Sequence, residues 1–140
     1  MGKQGSIIFI LSLFFIVVFI SGCVSQPNDL GATKQVGDTG VYGTVNSVNS
    51  AVVQNTSYYL VNVTIQNNSS KELEFTTQDF TLSDIPTDNQ NVDITMGAYS
   101  SNAYSFYFQK DPLNLGHYYL FGLHYPGNIQ QSANFNLKLD

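Results

Sequence analysis

From residue 41 onward, the apolar residues of this chain recur at every second position in short runs, and turn-forming residues separate the runs. Tyr59, Val61, Val63 and Ile65 lie on one side of a run whose other side is Asn62, Thr64 and Gln66. Such period-two alternation, rich in β-branched residues, predicts a half-buried strand. A weaker version covers Val41 to Val48, with Asn49 and Ser50 as its expected end. Leu73 and Phe75 alternate with Glu72 and Glu74, Phe80 and Leu82 alternate with Thr81 and Ser83, and Val92 and Ile94 mark a brief strand. The Pro86-containing segment from Asp84 to Gln90 reads as a loop. In the aromatic run Tyr104 to Phe108, residues 104, 106 and 108 share a face and Tyr107 takes the other. From His117 to Tyr125, residues 119, 121, 123 and 125 share a face, with Tyr118 and His124 opposite. Phe135, Leu137 and Leu139 close the chain. No stretch carries a helical stripe. About seven short strands with turns between them predict an all-β, antiparallel two-sheet sandwich over residues 40–140. The turn Asn67-Asn68-Ser69-Ser70 is expected to make its flanking strands antiparallel neighbours.

The first 22 residues break this pattern. Lys3 precedes an almost wholly apolar run from Ile7 to Ile20, followed by Ser21, Gly22 and the chain's single cysteine, Cys23. A charged start, an apolar run and a small-residue processing site describe a secretory signal peptide, here residues 1–22. The position of Cys23 resembles the lipobox of secreted lipoproteins, which implies cleavage and lipidation at Cys23. Residues 23–39, polar and holding Pro and Gly, then read as a tether. An uncleaved transmembrane anchor is the alternative, although ~20 apolar residues are usual for a span; plain secretion is another. All three put the domain outside the cytoplasm, and the first two hold it at the extracytoplasmic face of the cell membrane.

Charge narrows the partners. All five basic residues are lysines against ten acids. Loss of Lys3 with the signal leaves four lysines and a net charge of −6. An acidic chain without arginine lacks the basic footprint of a nucleic-acid binder. It offers no attraction to anionic lipid either, so a lipid anchor would supply the membrane contact. Four N-x-[ST] sequons, at Asn55, Asn62, Asn67 and Asn68, are candidate glycosylation sites.

The segment YYLVNVTIQNNSSKELEFTTQDFTLSD, residues 58–84, resembles the signature of a family of immunoglobulin-like extracellular lipoprotein domains of unknown function. That family is related to a secreted immunoprotective extracellular protein. Its members carry a strand ending in an Asn-Asn or Asn-Ser turn, an apolar strand and a Phe-x-Leu-x-Asp strand. Here these are Val61 to Ile65, Asn67-Asn68-Ser69, Leu73 with Phe75, and Phe80 to Asp84. The chain departs from the family after Asp84, where Ile85-Pro86-Thr87-Asp88 replaces a Gly- and Tyr-bearing hairpin. The resemblance implies an immunoglobulin-like sandwich and no particular activity.

Candidate chemistry is sparse. His117 and His124, seven positions apart on one strand, point to opposite faces and cannot share a metal. Asp84 and Asp88, with Asn89 beside them, are weak calcium candidates, because calcium takes ~6–8 oxygens from such loops. No nucleophile elbow or phosphate loop occurs. The expected function is therefore that of a membrane-anchored, non-catalytic lipoprotein with no cofactor, engaging a protein or carbohydrate at its membrane-distal end. Outward tyrosines, Tyr107 and Tyr118, are the candidate ligand contacts, since a tyrosine ring offers apolar area and a hydroxyl together. A structural subunit of an envelope complex is the alternative, and an enzyme comes third.

Overall fold

A computed structural model describes residues 28–90, 92–110 and 118–139. The candidate signal segment, Cys23 and His117 lie outside the described residues. Among the described residues ten strands follow in order: β1 (Thr33–Gln35), β2 (Val41–Val53), β3 (Thr56–Asn67), β4 (Leu73–Thr76), β5 (Phe80–Leu82), β6 (Ile85–Pro86), β7 (Asp93–Met96), β8 (Ser100–Gln109), β9 (Tyr118–Tyr125) and β10 (Asn128–Lys138). One four-stranded sheet has the order β1-β2-β3-β8, a second β10-β9-β5-β6, and β4 pairs with β7. Every pairing is antiparallel. The all-β sandwich expected from the alternation is the fold observed.

The inward residues are those the alternation selects. Val61, Val63 and Ile65 of β3, Phe106 and Phe108 of β8, Phe121 and Leu123 of β9 and Phe135 and Leu137 of β10 are all buried. Phe80 stacks on Phe106 at 3.9 Å between ring centroids, with planes 19° apart, and Phe75 leans on Phe80 at 5.7 Å. Farther along the core, Phe121 lies 6.1 Å from both Phe108 and Phe135. Offset and edge contacts of this kind add to the burial that rings already provide.

Four boundaries differ from expectation, each for a physical reason. β2 does not end at Asn49-Ser50. It runs on to Val53 and returns through Gln54 and Asn55, whose φ values of 47° and 66° make the two-residue turn that suits strand twist. The tether does not extend to residue 39. The Asp29 N–H donates to the Asn136 carbonyl, β1 lies along β2, and Val36 is fully buried. Part of the expected loop after Asp84 is the short strand β6, joined to β5 through Ser83 and Asp84 at φ 50° and 64°. Finally, β3 and β4 are not neighbours, because the chain crosses between sheets after Asn67. The buried Asn67 side chain makes that corner. Its Nδ2 donates to the carbonyls of Lys71 (2.7 Å) and Gly97 (3.0 Å), while its Oδ1 accepts from the Ser69 N–H and Oγ.

Candidate functional site

The outer face of the β1-β2-β3-β8 sheet carries an aromatic pair where β3 and β8 run side by side. Leu60 lies opposite Tyr107 in register, and the Tyr58 ring meets the Tyr107 ring edge-on, with centroids 6.0 Å apart and planes at 88°. With Val53 and Asp88 these rings line a shallow cleft of about 340 Å³. Its walls are mainly apolar, and its one charged group is a carboxylate.

Tyr107 is held by a strap rather than by another strand. Along the outer edge of β8, the Asp88 N–H and the Thr87 hydroxyl both donate to the Tyr107 carbonyl, at 2.7 and 2.9 Å. The Tyr107 N–H donates to Asn89 Oδ1 at 2.8 Å, and Asn89 Nδ2 donates to the Ser105 carbonyl at 3.0 Å. The Gln109 N–H donates to Asp88 Oδ2 at 2.6 Å. Residues 87–89 thus satisfy backbone groups that would otherwise be open to strand addition. They also fix the backbone beneath Tyr107.

On the inner side of the same region, Lys110 Nζ lies 4.6 Å from the centroid of the Tyr59 ring and donates to Ser50 Oγ at 2.7 Å. Tyr59 also packs on Tyr119 at 5.5 Å. Burial first, then the hydrogen bond with Tyr119 and its charge, raise the Tyr59 phenol above its ordinary pKa. Lys110 therefore ties β8 to β2 across β3 and stiffens the base of the cleft.

The other candidates take simpler places. Tyr118 is the first residue of β9, in the opposite sheet from Tyr107 and in register with Lys138. Its side chain lies outside the described residues, and the fold does not bring the two strands together as one face. Asp84 occupies the β5–β6 turn, and one oxygen of Asp88 is engaged by Gln109. Among the described residues, no three His, Cys, Asp or Glu side chains gather closely enough to hold a metal ion. His124 sits between the Thr81 hydroxyl (3.2 Å) and the Ile129 carbonyl (3.3 Å). Of the sequons, Asn55 and Asn68 are exposed, and Asn62 bonds Ser47 and Ser105 in mid-strand. Asn67 is fully buried with its amide engaged, so its candidacy for glycosylation is withdrawn.

Tyr58 and Val53 were not among the residues singled out from sequence. Tyr58 sits on the polar side of the β3 alternation, and only its register against β8 makes it Tyr107's partner. Val53 lay beyond the expected end of β2. The Asn at residue 55, a residue that tolerates left-handed dihedrals, was the available signal for a longer hairpin.

A family model described as a domain of unknown function, DUF4352, matches residues 28–118. The chain belongs to this family. The DUF4352 match starts just before β1, which agrees with β1 being part of the domain rather than of a tether. Among solved structures, a protein named "putative lipoprotein (ycdA)" from Bacillus subtilis subsp. subtilis str. 168 is similar at 19% identity and a TM-score of 0.56. The similarity covers 76% of this DUF4352 chain and 38% of that one, so the chain spans well under half of that neighbour's length. The yjhA protein from Bacillus subtilis is similar at 16% identity and a TM-score of 0.56, over 81% of this chain and 100% of that one. At such identities the likeness is one of fold. A search of curated proteins finds no match.

Proposed function

We propose that this DUF4352 chain is a lipoprotein anchored through Cys23 at the extracytoplasmic face of the cell membrane. Its sandwich serves as a non-catalytic binding domain, and the Val53–Tyr58–Asp88–Tyr107 cleft takes a protein or carbohydrate partner. The observation that carries this reading is the Tyr58–Tyr107 pair, half-exposed and edge-on over a backbone immobilised by residues 87–89. Rigid tyrosines present contact area at low entropic cost, and tyrosine is enriched among residues that dominate binding energy. The anchor is supported by the order Lys3, apolar run, Ser21-Gly22-Cys23, and by the lipoprotein name of one fold neighbour. Kinship with the secreted immunoprotective protein, read from residues 58–84, belongs to the same proposal.

The test uses full-length protein in native membranes. Cys23→Ser should release it or block its processing, and unchanged membrane retention would refute lipidation. Tyr58→Ala with Tyr107→Ala should weaken retention of the membrane partner by about 30-fold or more, given about 2 kcal/mol for a dominant contact. Equal retention by wild type and variant would show that the partner sits elsewhere. A second reading, a structural subunit of an envelope complex, is favoured by one observation. β1 covers β2 only at Tyr42, Gly43 and Thr44, so among the described residues no strand covers the remainder of that edge up to Val53. An open edge of this kind suits strand addition.

A further inference from the structure

The β2–β3 hairpin differs chemically from the rest of the molecule. From Val41 to Asn67 it contains no Asp, Glu, Lys or Arg, in a chain with ten acids and five lysines. At its tip, Val52 is 71% exposed and Val53 47% exposed. Adjacent strand residues point to opposite faces, so the tip is apolar on both sides. The other end of the sandwich also exposes large apolar side chains, Tyr99 and Ile129. There, however, Asp38, Lys71 and Glu72 lie on the neighbouring turns and are exposed to solvent. Among the described residues, the charged groups beside the hairpin arm come from other segments of the chain. Lys110 bonds Ser50 and lies over the Tyr59 ring, and Lys138 shares a hollow with Val48, Asn49 and Ser50. Asp88 lies beside Val53 and Tyr58, short of the Val52 side of the tip.

The place where the chain enters the fold bears on what covers this surface. Asp29 is bonded to Asn136, and the Gly31 N–H donates to the Val45 carbonyl, at the point where β2 loses its β1 neighbour. Leu30, between them, is 47% exposed. Cys23 precedes Asn28 by five residues, a reach of no more than about 18 Å. Val53 stands eight residues beyond Val45, about 27 Å along the strand. A lipid attached at Cys23 therefore holds the bilayer surface close to Leu30 and the open side of β2. A tether of that length keeps Asn28 within about 18 Å of the bilayer surface, so the hairpin tip, about 27 Å along the strand from Val45, can reach that surface.

We propose that the uncharged β2–β3 hairpin, with Val52 and Val53 at its tip, rests in the interfacial layer of the bilayer that holds Cys23. The inference rests on the anchored reading. It reverses the expectation of a membrane-distal contact, because the Tyr58–Tyr107 cleft shares Val53 with the tip and opens at the lipid surface. Uncharged polar groups along the strands (Asn49, Ser50, Thr56, Ser57) sit at headgroup depth, where water still reaches them. The valines need go no deeper than the boundary with the acyl chains.

The test places one environment-sensitive fluorophore on the full-length lipidated protein in vesicles of phosphatidylethanolamine and phosphatidylglycerol. The label is carried by Val52→Cys or, as control, Tyr99→Cys; both sites are exposed, and acylated Cys23 does not react. The expected result is blue-shifted emission at 52, quenched by lipid-borne nitroxide on the order of twofold more than at 99. Sedimenting protein whose probe at 52 remains in water overturns the hairpin contact and leaves the anchor standing. A probe at 52 that is shielded from water yet untouched by the lipid quencher means a protein covers the tip, and also overturns it. Protein that stays in the supernatant and takes a second label at Cys23 overturns the anchor, and the hairpin contact with it.

Discussion

Asn67 ends β3 with its side chain fully buried and every amide hydrogen and lone pair engaged nearby. Replacing it with alanine leaves the Lys71 carbonyl with only a long 3.5 Å contact from the Ser69 hydroxyl, takes the acceptor from the Ser69 N–H, and leaves the Gly97 carbonyl to the Ser100 hydroxyl alone. A buried group left unsatisfied costs about 1–3 kcal/mol. Asn67→Ala should therefore lower the free energy of unfolding by about 1–3 kcal/mol, as read from the urea midpoint. Asn67→Asp should do no better, since a carboxylate cannot donate to either carbonyl. From sequence this residue looked like one of several interchangeable turn asparagines. Nothing local distinguishes Asn67 from Asn68; the distinction comes from Gly97, thirty residues away. Tyr107 was legible for the opposite reason, because alternation with Phe106 and Phe108 fixes its face without long-range information.

Between the two sheets, Gly43 of β2 marks a close approach. A Cβ at that position would lie 2.6 Å from Leu123 Cδ2 and 3.4 Å from the Phe135 ring. Gly43→Ala should cost about 1–3 kcal/mol through overpacking, with far-ultraviolet circular dichroism retained and the melting midpoint lowered. Strands with one buried face were readable from their period: β3, the second half of β8, β9 and the end of β10. Two kinds of element were not. β1 is three polar residues whose place is fixed by β2 and by the single apolar Val36 that follows them. The outer half of β2 runs past β1 while staying paired with β3, and exposed Val52 and Val53 on successive positions erase the alternation that marks a strand. The cleft inherits both difficulties, since Tyr58 and Val53 meet Tyr107 only through the β3–β8 register and the longer hairpin.

For the molecule as a whole, composition and period were enough to specify an antiparallel sandwich. They could not show how its two sheets are fastened at the N-terminal side. That fastening is Asp29. Its carboxylate pairs with Lys34 Nζ at 2.7 Å and accepts the Asn136 N–H at 2.7 Å, while Lys34 also donates to the Asn134 carbonyl. The hydrogen bond from Lys34 is the largest influence holding the Asp29 pKa below its ordinary value; burial opposes it, and the bond from Asn136 adds to the lowering. A carboxyl with a depressed folded pKa contributes stability above the unfolded value, about 3.9, and loses it as pH falls through the folded one. Wild type should therefore lose stability between pH 5 and more acidic conditions more steeply than Asp29→Asn, in urea titrations at each pH. The same clasp also governs timing. It joins positions 107 residues apart, so the edge formed by β1 cannot lock until Asn136 has been delivered. Contacts of such long range are slow to form because loop closure precedes them. If the chain is exported amino end first, as the anchored reading proposes, it crosses the membrane before its sandwich can shut, and folding is completed on the far side.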